Sequence, residues 1–293
     1  RELRLEGARA LSRAAAASSP PASRLGLMSS YPPVHSAEGR DWRALFAALS
    51  VGGRVAHRPH FAGYSEAPGR AKAHSIMMLE LQKQLRPAGC EVAPEIENFP
   101  FTHWNKSDAL TWAEMALCLF HGSDALLLDL FPFSGNPAAS EPRIGELLDR
   151  SRPGLKWITG RFPNTLACAG VGLPWKDDAQ AHVRTRAGIS MNELDASPFG
   201  PGALLLPFGV PVVFTRRAVN AVFGSMAWAY SDDECRALLS GGLILDSASA
   251  SVFSSRGFGA LLGVRLKGLA GREEADYALE QATAMARGVP AGF

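Results

Sequence analysis

Apolar positions in the first half of the chain alternate between short runs and longer stretches with helical spacing. After a break at Ser18 to Pro21, Leu25-Gly26-Leu27-Met28-Ser29 predicts a strand, followed by a helix near Asp41 to Leu49. Val55 to Phe61 predicts a second strand. Beyond Pro68, the spacing of Ile76, Leu79 and Leu85 predicts a helix that stops at Pro87. Glu91 to Glu97 predicts a third strand. Ser107 is placed to cap a helix carrying Leu110, Ala113 and Leu117 that ends at Gly122, and Ala125 to Phe131 predicts a fourth strand. Four strand-helix units in succession select a parallel sheet with helices packed outside it.

From Gly135 to Pro153 the chain is polar and carries Glu141-Pro142 and Arg152-Pro153, which predicts a boundary between residues 150 and 160, placed at 154/155. Beyond it, Ser231-Asp232-Asp233-Glu234 reads as a capping box opening a helix that closes at Gly241-Gly242. Leu243 to Asp246 follows as a buried strand. A helix from Asp246 or Ser247 to Arg256 comes next, then a strand at Ala260 to Val264 and an Ala-rich helix at Arg272 to Arg287. The second unit, residues 155–293, is flavodoxin-like in pattern. At the other end, Leu3, Leu5, Ala8, Leu11 and Ala15 keep helical spacing from the first residues with no starting cap, so a longer parent chain is expected.

Charge narrows the partners. Lys plus Arg number 30 against 28 Asp plus Glu, too even a balance to draw nucleic acid or a membrane surface, and a small neutral substrate fits better. No run approaches the roughly 20 apolar residues of a membrane span. Cys90, Cys118, Cys168 and Cys235 are far apart, without a C-x-x-C pair or a His at ligand spacing, so they read as reduced thiols of a cytoplasmic protein, with no metal. Gly170-Val171-Gly172 lacks a third glycine and a helix start, and no cofactor is expected from it.

Strand alternation selects the candidate chemistry. In Glu91-Val92-Ala93-Pro94-Glu95-Ile96-Glu97, Val92 and Ile96 share one side while Glu95 and Glu97 share the other. With Val92 and Ile96 under the helices, both carboxylates face inward, and Glu97 lies nearer the C-terminal rim where barrel enzymes work. Two carboxyl groups acting on a glycosidic bond must flank it, so Glu95 is read as structural. Glu66, in the loop after the second strand, is the acid nominated as partner. The competing reading of Glu97 is a structural carboxylate paired with Arg58 or His60. Asp129, inward on the fourth strand, either binds substrate, positions Glu97 or is a satisfied rim carboxylate. His57, His60, Tyr64, Phe101, His103 and Trp104 gather at the ends of strands two and three, and Trp104 is the candidate sugar platform.

Pro94-Glu95-Ile96-Glu97-Asn98-Phe99-Pro100-Phe101 with Lys106-Ser107, Leu25 to Ser30, and His35-Ser36-Ala37-Glu38-Gly39-Arg40-Asp41-Trp42 resemble family 42-type β-galactosidases and relatives such as family 165. The resemblance implies that the four strands are five to eight of a (β/α)8 barrel, making residues 1–154 its C-terminal half. It also implies that Glu97 is the nucleophile of a retaining glycosidase whose acid/base Glu lies outside this chain. Tyr230 to Glu234, Leu238-Leu239, Gly241-Gly242, Leu245-Asp246 and Arg256 to Gly259 are similar to the flavodoxin-like trimerisation domain of such enzymes, which implies a homotrimer. Two other classes stay open: a non-catalytic carbohydrate-binding or assembly protein of the same fold, and a barrel enzyme acting on a small carbonyl or amide.

Overall fold

The computed structural model describes residues 2–18, 24–61, 63–66, 71–163, 168–185 and 187–266. It is a mixed α/β molecule with parallel sheets. Strands β1 (Gly26–Ser29), β2 (Ala56–Pro59), β3 (Glu91–Val92), β4 (Glu95–Glu97) and β5 (Leu127–Asp129) follow one another in space as in sequence: β1 pairs with β2, β2 with β3, and β4 with β5, all parallel. β3 and β4 are one extended stretch interrupted at Ala93-Pro94. Proline has no amide hydrogen to donate, so the ladder hands over there. The Ala93 amide still donates to His57 O at 3.0 Å, and Pro94 O accepts from Leu127 N at 2.9 Å.

Helices cover one face of this sheet. α1 (Glu2–Ser18) packs on α3 (Trp42–Leu49), which follows the short α2 (Pro32–Ala37) and whose Asp41 side chain caps the Ala44 amide at 3.0 Å. Trp42, Phe46 and Leu49 join Val55 and Leu85 in one core cluster. α4 (Ala71–Lys83) and α5 (Asp108–Phe120) bring Leu79, Met115 and Cys118 against Phe61, Ile96 and Leu130. Among the described residues the opposite face is bare: Met28 on β1 is 63% exposed and Leu127 on β5 is 44% exposed.

The second sheet holds β6 (Val171–Gly172), β7 (Val212–Val213), β8 (Val219–Val222) and β9 (Gly242–Leu245), all parallel, in the spatial order β7-β6-β8-β9. Numbered from β6, that order is 2-1-3-4, so the chain steps outward in both directions from the central pair. Gly172 belongs to this pair. A Cβ there would lie 2.6 Å from Thr215 O and against Asn220 Oδ1, so glycine at 172 serves strand packing. α8 (Asp232–Leu239) starts with the expected capping box, in which the Glu234 amide donates to Ser231 Oγ at 3.2 Å and the Ser231 amide donates to Glu234 Oε2 at 2.7 Å. α9 (Ser247–Phe253) is capped by Asp246, which accepts from the Ser249 amide at 2.7 Å.

α4 joins the two sheets. Leu79 faces the first, while Met77, Met78 and Leu81 pack with Leu173, Val212, Phe214 and Ala221 at the second and with Phe199 of the short α7 (Phe199–Leu205). A helix buried on two sides needs apolar residues around most of its circumference, and Ala73 and Met77 to Leu81, apart from Glu80, supply them.

Two expectations change. α6 (Pro142–Arg161) runs through the 150–160 boundary: Pro142 takes the first-turn position that tolerates proline, and Pro153 is absorbed within the helix. The passage between the sheets therefore lies after Arg161. Ala260 to Val264 is not a strand, because Gly257 (φ 89°) and Gly263 (φ 69°) turn the backbone around a single 3-10 turn at Gly259–Leu261. The helix expected at Arg272 to Arg287, and Pro68, lie outside the described residues.

Candidate functional site

The carboxylates fall on the helix-free face, as alternation requires. Ile96 on β4 is fully buried under α4 and α5, so its neighbours Glu95 and Glu97 point the other way. Glu97 stands opposite Asp129 in the ladder, and adjacent parallel strands put such side chains about 4.8 Å apart on one face. Partial burial, together with the neighbouring Asp129 charge, raises the Glu97 pKa above the ordinary glutamate value, against the pull of Arg58 and Lys106.

The expected pairing of Glu97 with Arg58 or His60 does not form. Arg58 makes its ion pair with Glu95, one turn of the pleat earlier, which gives Glu95 the structural role expected of it. His60 Nε2 shares a hydrogen bond with Tyr64 OH, and burial lowers the His60 pKa. Among the described residues, no cation stands within ion-pair distance of the Glu97 carboxylate. Tyr64 stays at the site: its ring lies 6.5 Å from that of Phe99, and burial followed by the Glu97 charge raises its pKa.

Three further side chains hold this rim from below. Lys106, 5% exposed, donates to the Glu97 backbone carbonyl at 2.8 Å and to Glu114 Oε2 at 2.7 Å. Glu114, fully buried in α5, also binds Lys72, which donates to Gly63 O at 2.9 Å. One carboxylate thus ties the ends of β2 and β4 to the helix layer. Gly63 accepts this approach because a Cβ would collide with both Lys72 Nζ and Glu114 Oε1. The sequence signal for this cluster is a lone acid, Glu114, among the apolar positions of α5.

Other nominated residues lie apart. Glu66 accepts from Ser107 Oγ at 2.5 Å and from the Ser107 amide at 3.1 Å, so it secures the N-terminus of α5. His57 alternates onto the helix face, where it is 1% exposed and touches Phe46 edge-on. Trp104 is 93% exposed. The better aromatic surface is Phe101 stacked on Phe133 at 3.8 Å, with Phe99 edge-on to Phe101. Behind the rim, Asn98, Lys106 and Glu141 border a cavity of about 40 Å³, room for water and not for a sugar ring.

Donors of metal-binding type meet elsewhere. Among the described residues, Glu80, His121 and Cys168 converge near the N-terminal ends of the strands, although 41 and 88 positions separate His121 and Cys168 from Glu80. Such separations leave no spacing motif to read.

No protein-family model, no curated protein and no solved structure matches this chain.

Proposed function

We propose that this chain carries the nucleophile-bearing half of a retaining, β-galactosidase-like glycoside hydrolase. One observation carries the reading: Glu97 emerges at the C-terminal end of a parallel strand, on the face that no helix covers among the described residues, and without an ion-pair partner among them to hold it in a structural role. Sequential strand order with helices on one side is what the second half of a (β/α)8 barrel requires, and the 2-1-3-4 order of the second sheet supports a flavodoxin-like unit, with trimer assembly as its role.

In this mechanism the Glu97 carboxylate attacks the anomeric carbon, the glycosidic C–O bond breaks, and an acid/base carboxyl from outside residues 1–293 protonates the leaving oxygen. Water then cleaves the glycosyl ester. Asp129 and Tyr64 orient Glu97 and the sugar hydroxyls. Phe99, Phe101 and Phe133 offer apolar faces for a pyranose ring.

The test uses a substrate that needs no acid. A dinitrophenyl 2-deoxy-2-fluoro-β-galactoside loses its leaving group unaided, so the first step should leave a stable sugar ester on Glu97, detectable by peptide mass spectrometry. Glu97→Gln should abolish the adduct. Failure of this galactoside and of the corresponding activated 2-fluoro-β-glucoside to label the chain, or a label on another residue, would sink the reading. The engagement of Glu66 as a helix anchor favours one second reading, a carbohydrate-binding protein without chemistry. That protein would bind galactosides with equal affinity before and after Glu97→Gln and never form the ester.

A further inference from the structure

A second cluster of chemistry-bearing side chains lies where the helix layer of the first sheet meets the second. Glu80 projects from the buried side of α4, His121 forms the C-cap of α5, and Cys168 lies on the segment entering β6. Glu80 Oε1 is the shared point. It accepts from His121 Nδ1 at 2.5 Å and from Lys83 Nζ at 2.5 Å, and Cys168 Sγ approaches it at 3.6 Å.

We propose that Glu80, His121 and Cys168 form a binding site for one divalent transition-metal ion of the zinc class, independent of any glycosidase activity. One ligand atom from each of the three lies within 4.8 Å of the other two. A tetrahedral zinc ion, with bonds of about 2.0 to 2.3 Å, needs ligand atoms roughly 3.3 to 3.8 Å apart. The sulfur-oxygen separation of 3.6 Å already falls there, and the His121-Glu80 contact opens by under about 1 Å when the ion replaces the shared proton. A thiolate, an imidazole and a carboxylate together select zinc or cobalt over magnesium or calcium, which take oxygen ligands alone. Three protein ligands leave the fourth position to water.

The surroundings suit entry and fixation. Arg217 donates to Cys168 O at 3.1 Å and holds its backbone. Cys168 borders a cleft of about 640 Å³ lined by Gly170, Pro211 and Val219, and Lys83 borders another of about 610 Å³ lined by Arg86 and Gly89. The second cleft gives the Lys83 ammonium a route to water when the ion takes over neutralisation of Glu80. A simple hydrogen-bonded network of Lys83, Glu80 and His121 is the competing account, and it predicts no affinity for metal.

The experiment is cobalt titration of the chelator-treated full chain near pH 8, where metal competes best with protons on the thiol and imidazole. The expected result is one equivalent bound, with a thiolate-to-cobalt charge-transfer band and the visible bands of four-coordinate cobalt, both bleached by zinc. Cys168→Ser should remove the charge-transfer band, His121→Ala should weaken binding at least tenfold, and Cys90→Ser should leave both unchanged. Lys83→Met, which removes the competing cation, should tighten binding several-fold, and zinc should raise the Tm of the parent chain but not of Cys168→Ser. No cobalt spectrum in the parent, or an undiminished charge-transfer band in a folded Cys168→Ser variant, would overturn the site.

Discussion

Glu97 and Asp129 stand side by side in the ladder of β4 and β5, both on the face that carries no helix among the described residues, and the Asp129 charge acts on the Glu97 carboxylate. Burial disfavours the charged form of Glu97, and the Asp129 charge adds to the effect. Asp129→Asn should therefore lower the Glu97 pKa, whereas Arg58→Met, which removes an attracting cation, should raise it. Carbon-13 titration of the Glu97 carboxyl reads both directions. An unmoved or rising value in Asp129→Asn would contradict the pairing. In an active enzyme the acid limb of the rate profile should follow the same directions.

The Lys106-Glu114-Lys72 cluster should be the costliest polar feature to break. Glu114→Ala leaves two cations facing each other with little water, and such a break costs about 3–5 kcal/mol. Urea unfolding measures it. A loss below about 1 kcal/mol would mean that the lysines relax into solvent and that the rim does not depend on them.

Acid sensitivity should come from His57. Ser29 Oγ has one hydrogen and gives it to Gln82 Oε1, which only accepts, so Ser29 must receive Nε2–H from His57 at 2.7 Å. The ring is thus held neutral, with Nδ1 bare and buried. Burial, with help from Arg86 and Arg40, lowers its pKa to about 3. The unfolded chain binds that proton near pH 6.5 and the folded chain does not, so stability is complete above about 6.5 and falls as pH drops toward 3. At pH 5 the loss is about 2 kcal/mol. A His57→Gln variant should show a flatter stability curve from pH 7 to 5, and an unchanged slope would refute the assignment.

Glycines should separate into two kinds. Gly172→Ala forces a methyl group against Thr215 O and Asn220 in the middle of the second sheet and should cost about 1–3 kcal/mol. Gly145→Ala in α6 meets open space and should gain about 0.5–1 kcal/mol through helix propensity. Thermal unfolding of the two variants in parallel checks the contrast. Equal effects would mean that the close approach at Gly172 relaxes freely.

The sequence by itself determined the local elements and their faces. A period of two placed Glu95 and Glu97 opposite Ile96, and Ser107, Asp41 and Ser231 marked helix starts that form as read, because strand alternation and capping act over a few residues. Tertiary structure decided the partners. Arg58 chose Glu95 over Glu97, Glu66 turned to Ser107, and α6 carried Pro153 past the expected boundary because its Ile158 packs with Ala116 and Leu119 of α5. Lys72, Lys106 and Glu114 came together across two loops and a helix, as did Glu80, His121 and Cys168. Contacts between residues tens of positions apart depend on how whole elements pack, and no periodicity along the chain encodes them.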